Sequence, residues 1–121
     1  MSGFPNIPNP PAPPFPQPAA TDPNPSLPPY RPPMRRRHVF AGRVQGVGFR
    51  ATAREVAHGF AVTGWVRNEH DGSVTLEIQG EADELDRFIA ELHAAMGRYI
   101  MSTQALQVPP LESERTFIIV R

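Results

Sequence analysis

Gly42-Arg43-Val44-Gln45-Gly46-Val47-Gly48-Phe49-Arg50 is the stretch that decides the fold, because it joins a strand pattern to a helix pattern. Its glycines allow sharp turns and close approach of a ligand to backbone N–H groups. Such N–H groups form a concave anion site, and a helix beginning directly after it adds its positive dipole end. Arg50, at the helix start, has a planar guanidinium suited to phosphate oxygens. The stretch predicts a phosphate cradle; the alternative is a glycine-rich turn without a ligand.

The spacing of the glycines matches neither GxxxxGK[ST] nor GxGxxG, so the stretch does not predict a nucleotide site.

Composition changes sharply near residue 34. Fourteen of the 16 prolines lie in residues 1–33, which carry only two charged side chains, Asp22 and Arg31. Such a segment cannot bury enough apolar surface to offset the entropy of ordering it. We therefore predict a disordered, partly polyproline-II tail over residues 1–34 and one small domain over residues 35–121.

The remaining composition excludes several kinds of protein. There is no cysteine, and therefore no disulfide or thiolate metal site. No apolar run reaches the length of about 18 residues that a membrane helix needs, and no secretory signal is evident, so we expect a cytoplasmic protein. The 12 arginines balance 12 acidic residues, and lysine is absent. Arg35-Arg36-Arg37 is a basic run, in which we expect a solvated strand start rather than nucleic-acid binding.

The periodicity of apolar residues predicts five strands and two helices. The strands cover residues 36–42, 63–68, 73–79, 102–108 and 116–120, and the helices residues 49–59 and 81–96. In the third strand Val74, Leu76 and Ile78 alternate with polar residues, which indicates one buried face. The order β-α-β-β-α-β with one extra strand predicts an α+β, ferredoxin-like sandwich. Two helices would cover one face of an antiparallel sheet, and the other face would be partly open to water.

Two segments resemble the signature segments of the acylphosphatase family. They are Gly42-Arg43-Val44-Gln45-Gly46-Val47-Gly48-Phe49-Arg50 and Gly64-Trp65-Val66-Arg67-Asn68-Glu69-His70-Asp71-Gly72-Ser73-Val74. The resemblance covers nearly all of residues 36–121. It implies an enzyme that hydrolyses the carboxyl–phosphate bond of small acyl phosphates to a carboxylate and inorganic phosphate, without metal or cofactor.

The resemblance also implies a role for each matched residue. Arg50 would bind and neutralise the phosphate, and Asn68 would orient the attacking water. The phosphate would also be held by the backbone of Gln45, Gly46, Val47, Gly48, Phe49 and Arg50. These residue types suit phosphoryl transfer, which needs positioning and charge stabilisation more than covalent chemistry. If a side-chain base were required, His70 and Glu69 are nearest, although we expect both to be exposed turn residues.

Other functions stay open from the sequence. Acylphosphatase-like domains that handle carbamoyl phosphate occur in larger hydrogenase-maturation proteins, but those carry zinc-binding cysteines that this chain lacks. A non-catalytic phosphate-binding or adaptor protein would act through PxxP patterns in the tail, such as Pro5-Asn6-Ile7-Pro8, although proline-rich segments contain these by chance. We expect a monomer with no nucleic-acid or membrane partner. The physiological acyl phosphate cannot be named from the sequence.

Overall fold

The computed structural model describes residues 31–121, so the predicted tail lies almost entirely outside the described residues. All seven predicted elements are present, with ends that differ from the prediction by at most two residues. The strands are β1 Met34–Gly42, β2 Thr63–Asn68, β3 Val74–Gly80, β4 Ile100–Val108 and β5 Phe117–Val120. The helices are α1 Phe49–Ala57 and α2 Ala82–Met96, and a 3-10 turn, Gly97–Tyr99, follows α2. The ferredoxin-like fold is confirmed.

The five strands form one sheet in the order β4-β1-β3-β2-β5. Three of the neighbouring pairs are antiparallel, whereas β2 and β5 are parallel. The sheet is therefore mostly antiparallel, as predicted, with one parallel pair at this edge that the prediction did not specify. Because β4 and β5 lie at opposite edges, the connection over residues 109–116 must run from one edge to the other, and β5 then enters beside β2 in the same direction.

The two helices pack on one face of the sheet, which we call the helix face. In α1 the buried residues Phe49, Ala53 and Ala57 recur every four positions, as one side of a helix requires. The remaining buried apolar residues come from α2, the sheet and the cradle stretch: Leu85, Phe88, Leu92, Met96, Phe40, Val66, Val74, Leu76, Ile78, Phe117 and Val44. This core fixes where α1 begins, and so fixes the position of the cradle. Within residues 31–121 no helix is long and apolar enough to span a lipid bilayer.

The opposite side of the sheet, the second face, is partly open to water, as predicted: Arg37 of β1 is exposed, whereas other residues of this face are covered. Thr75 and Glu77 of β3 are buried, so this strand is covered on both sides. Arg35 at the start of β1 is only 1% exposed, and the expected solvated strand start is wrong at this residue. The physical reason is the connection over residues 109–116. Its Glu114 carboxylate accepts hydrogen bonds from both terminal nitrogens of Arg35, at 2.8 and 3.1 Å.

Candidate active site

The cradle is a loop whose shape depends on two glycines. Gly46 and Gly48 have φ angles of 77° and 81°, in the left-handed region that residues with a Cβ rarely adopt. A side chain at either position would meet nothing within 4 Å, so the requirement for glycine is conformational rather than steric. Left-handed residues alternating with others turn successive N–H groups toward one point, which is the geometry of an anion nest.

Most N–H groups of the loop and of the first turn of α1 have no acceptor within residues 31–121. Arg43 donates its N–H to the Tyr99 carbonyl at 2.9 Å, and the first helical bond runs from Thr52 N to Gly48 O, also at 2.9 Å. Between them, the N–H groups of residues 45–51 donate to no acceptor in the described part of the chain. No acidic residue lies in the first turn of α1. These donors and the positive end of the helix dipole are therefore available to an anion.

A cleft of about 210 Å³ opens in front of the cradle. It brings together Arg50, from the start of α1, and Asn68, from the end of β2. Its other lining residues are Val44, Gly46, Gly48, Phe49, Ala51, Ile119 and Arg121. Two predicted cradle residues do not line it, because Val47 packs against the core and the side chain of Gln45 points to a neighbouring turn.

Arg50 is half-buried, and its side chain forms no hydrogen bond or ion pair with any other residue of the described chain. Arg121 also lines the cleft, and none of the lining residues is acidic. Among the described residues the cleft is therefore lined by two guanidinium groups and by no carboxylate side chain. The planar N–H groups of a guanidinium match the oxygens of a phosphate.

Asn68 reaches the cleft because of its place in β2. Side chains alternate along a strand, and Val66, two residues earlier, is fully buried in the core on the helix face. Asn68 therefore points to the same side, beyond the end of the core. No partner for its amide is found in residues 31–121, so both its donor and its acceptor are free for a water. Arg67 points to the second face and stacks over Trp65 at 4.9 Å.

The two residues considered as general bases lie away from the cleft. His70 is an exposed turn residue, as predicted, whereas Glu69 is half-buried. A hydrogen bond from Thr75, and then the Arg67 guanidinium, lower the pKa of the Glu69 carboxyl. Arg67 donates to this carboxylate at 3.0 Å. Glu69 is thus occupied on the second face, on the far side of the sheet from the cleft, and is poorly suited to accept a proton there.

Two residues of the cleft and one side-chain contact of a predicted cradle residue were missed by sequence reasoning. Ile119 and Arg121 line the cleft because β5 lies beside β2, and no local pattern in the sequence indicates which strand β5 pairs with. The Gln45 side chain donates from Nε2 to the carbonyl oxygens of Glu69, at 2.7 Å, and of Ser73, at 2.9 Å. The only sequence signal for this role is a polar residue inside an otherwise apolar and glycine-rich stretch.

The described residues contain no cluster of three or more His, Asp or Glu side chains with the arrangement of a metal site. The polar chemistry of the cleft therefore consists of guanidinium, amide and backbone N–H groups. This set favours an oxyanion with several oxygens, such as a phosphate.

Comparisons with known proteins agree with this geometry. The profile of the acylphosphatase family matches residues 36–119. An acylphosphatase of Azoarcus sp. (strain BH72) is 48% identical over 67 residues, which are 55% of this chain and just under two thirds, 66%, of that protein. An acylphosphatase of Roseiflexus sp. (strain RS-1) is 40% identical over 91 residues, covering 72% of this chain and 96% of the relative.

A solved structure extends the similarity to three dimensions. The crystal structure of acylphosphatase from Bacillus subtilis superimposes with a TM-score of 0.65 at 28% identity, covering 73% of this chain and 99% of the other. The matched residues include both the cradle and the strand that carries Asn68. The chain therefore belongs to the acylphosphatase family of hydrolases.

Proposed function

We propose that this chain hydrolyses the carboxyl–phosphate bond of small acyl phosphates and releases a carboxylate and inorganic phosphate. One observation carries the proposal: one cleft brings the Arg50 guanidinium and the Asn68 amide to a loop of backbone N–H groups, all of them without a partner within residues 31–121. The guanidinium and the loop N–H groups bind a phosphate, and the Asn68 amide orients a water. The relatives named above are acylphosphatases, which is the activity that this arrangement suits.

In the proposed reaction the N–H groups of residues 45–50 and the Arg50 guanidinium hold the non-bridging phosphate oxygens. Charge on these oxygens is stabilised by groups that are already in place, so little reorganisation is needed in the transition state. Asn68 aims a water at phosphorus, in line with the bond to the acyl oxygen. As the water oxygen bonds to phosphorus, that bond breaks, and the carboxylate departs with the electron pair.

The proton balance needs no side-chain base. A carboxylate is a weak base and therefore a good leaving group, so the attacking water need not be deprotonated beforehand. The proton of the water passes to an oxygen of the phosphate and leaves with the product. This route is consistent with the position of Glu69 on the second face, and it requires no cofactor. The acyl group would project from the cleft toward solvent.

The test is hydrolysis of benzoyl phosphate by the purified chain in the presence of EDTA, beside Arg50→Ala and Asn68→Ala. Arg50→Ala should lower kcat/KM about a thousandfold and weaken inhibition by inorganic phosphate, because a charged transition-state contact is lost. Asn68→Ala should lower kcat about a hundredfold, while the inhibition constant for phosphate changes less than about threefold.

Arg54→Ala is the matched control, because Arg54 lies one turn after Arg50 on α1 and is exposed. It should retain activity within about twofold, as expected for a surface substitution. A folded parent chain without turnover would refute the enzymatic proposal and favour the alternative, a non-catalytic phosphate-binding or adaptor protein. Loss of activity in EDTA alone would contradict the metal-free mechanism.

A further inference from the structure

We propose that Gln45 is a positioning residue, whose side-chain amide holds the strand end carrying Asn68 in register with the phosphate cradle. The inference rests on the proposed function. Gln45 lies at the start of the cradle loop, but its Nε2 group donates two hydrogen bonds away from the cleft. The acceptors are the carbonyl oxygens of Glu69, at 2.7 Å, and Ser73, at 2.9 Å.

These two carbonyls belong to the end of the β2–β3 hairpin that carries Asn68. Glu69 follows Asn68 directly, and Ser73 precedes Val74, which is the register partner of Asn68. One amide therefore bonds both strands of the hairpin at the level of the water-orienting residue. No other side-chain hydrogen bond in residues 31–121 joins the loop over residues 43–48 to this turn.

The distance between the cradle and Asn68 determines whether the water is in line with the scissile bond. The cradle begins after β1 and Asn68 ends β2, and β3 lies between these strands in the sheet. Their relative position thus depends on contacts across the loop. An error of about 1 Å in such a geometry can cost about a hundredfold in rate. Phosphate affinity depends only on the cradle and Arg50, and should be far less sensitive.

Gln45→Met is the informative substitution, because methionine has a similar length but cannot donate. Both carbonyls keep a backbone donor without Gln45: Gly72 N bonds Glu69 O at 3.2 Å, and Glu69 N bonds Ser73 O at 2.8 Å. No buried carbonyl is left unpaired, so the domain should fold, with a melting temperature within about 8 °C of the parent. Gln45→Glu provides a second variant, since it keeps the shape but turns the donor into an acceptor.

For both variants we expect kcat for benzoyl phosphate to fall about 10- to 100-fold. For Gln45→Met, which adds no charge, the inhibition constant for inorganic phosphate should change less than about threefold. Gln104→Met is the matched control, since Gln104 lies exposed on β4, opposite Val39. Its kcat should equal that of the parent. A general loss of folding would lower activity and phosphate binding together, which would overturn the positioning role.

The decisive measurement is a double-mutant cycle with Asn68. If Gln45 acts by placing Asn68, then Gln45→Met in an Asn68→Ala background should lower kcat by less than about threefold further. A full multiplication of the two effects would overturn the inference. An active parent whose kcat is unaffected by Gln45→Met would refute this role of Gln45 alone. An inactive parent would refute the proposed function, and this inference with it.

Discussion

Two arginines, Arg35 on the second face and Arg50 in the cleft, have contrasting environments in one small domain. Arg35 is 1% exposed and donates four hydrogen bonds to its neighbours, the shortest at 2.6 Å to Glu77. Arg50 is half-buried, lines an open cleft and has no partner in the described residues. The hydrogen-bond donors of Arg35 are used within the protein, whereas those of Arg50 are available to a ligand.

The cost of desolvating a charge explains the difference. A cation removed from water must be paired and fully hydrogen-bonded, or it destabilises the folded state by several kcal/mol. Burial alone would raise the pKa of the Glu77 carboxyl, yet hydrogen bonds from Arg35 and Arg37 outweigh burial and lower the pKa. Arg50 avoids most of this cost by remaining hydrated. It can therefore exchange water for phosphate without first breaking an ion pair.

The largest expected difference between the two sites is in stability. Arg35→Met should lower the free energy of unfolding by about 3 kcal/mol, because Glu77 and Glu114 lose a buried partner. Arg50→Met should change it by less than about 0.5 kcal/mol, since no acidic group loses a partner. Urea unfolding of both variants at pH 7 measures this directly.

Activity supplies the control for the same pair. At a temperature where Arg35→Met remains folded, its kcat per folded molecule should stay within about threefold of the parent, because Arg35 touches nothing in the cleft. Equal destabilisation by the two substitutions would break the comparison. It would mean that Arg50 has a structural role which its lack of partners does not indicate.

The same contrast explains which features could be predicted from the sequence. Arg50 is predicted as a phosphate ligand from the glycines that precede it in one contiguous stretch, whereas the role of Asn68 is predicted only from the resemblance of its segment to the acylphosphatase signature. The sequence predicts a solvated strand start at Arg35. It does not reveal that Arg35 is buried, because the partner Glu114 lies 79 residues away in the chain. The elements and their order followed from periodicity, which reports which side of an element is apolar.

Long-range placement was the part that the sequence could not give. The parallel pairing of β5 with β2, and thus the presence of Ile119 in the cleft, depends on how the connection over residues 109–116 crosses from one edge of the sheet to the other. The fourth strand begins at Ile100, two residues earlier than predicted, because the 3-10 turn after α2 ends at Tyr99 and β4 follows it without a loop. Neither feature has a periodic signature.

His38 is a third case, a buried side chain whose ring nitrogens have no hydrogen-bond partner in the described chain and are not accessible to a ligand. It is 5% exposed, and neither ring nitrogen has a hydrogen-bond partner in the described chain. Burial, and then the charges of Arg36 and His93, lower the pKa of His38 from 6.5 to about 4. The unfolded chain therefore binds a proton that the folded chain does not bind, and stability should fall as the pH is lowered from about 6.5 toward about 4.

His38→Leu removes this titration, so its unfolding free energy should depend less on pH than that of the parent. The drop between pH 7.5 and pH 4.5 should be smaller by about 2.5 kcal/mol, as measured by urea unfolding at both values. Protonation of Glu77 also destabilises the fold at acid pH, but it is common to both proteins and cancels in the difference. His38→Phe should give the same flattening; a drop as large as that of the parent would show that His38 is not buried in its neutral form.

The smallest effect is expected from removing residues 1–30. Arg35 and Arg50, with every partner named for them, lie within residues 31–121, so the contrast between the two sites should persist without the tail. The truncated chain should keep its melting temperature within about 4 °C and its kcat/KM for benzoyl phosphate within about twofold. A lower melting temperature with unchanged kcat would show that the tail packs on the domain. An unchanged melting temperature with a lower kcat/KM would show that residues 1–30 contribute to the active site that contains Arg50.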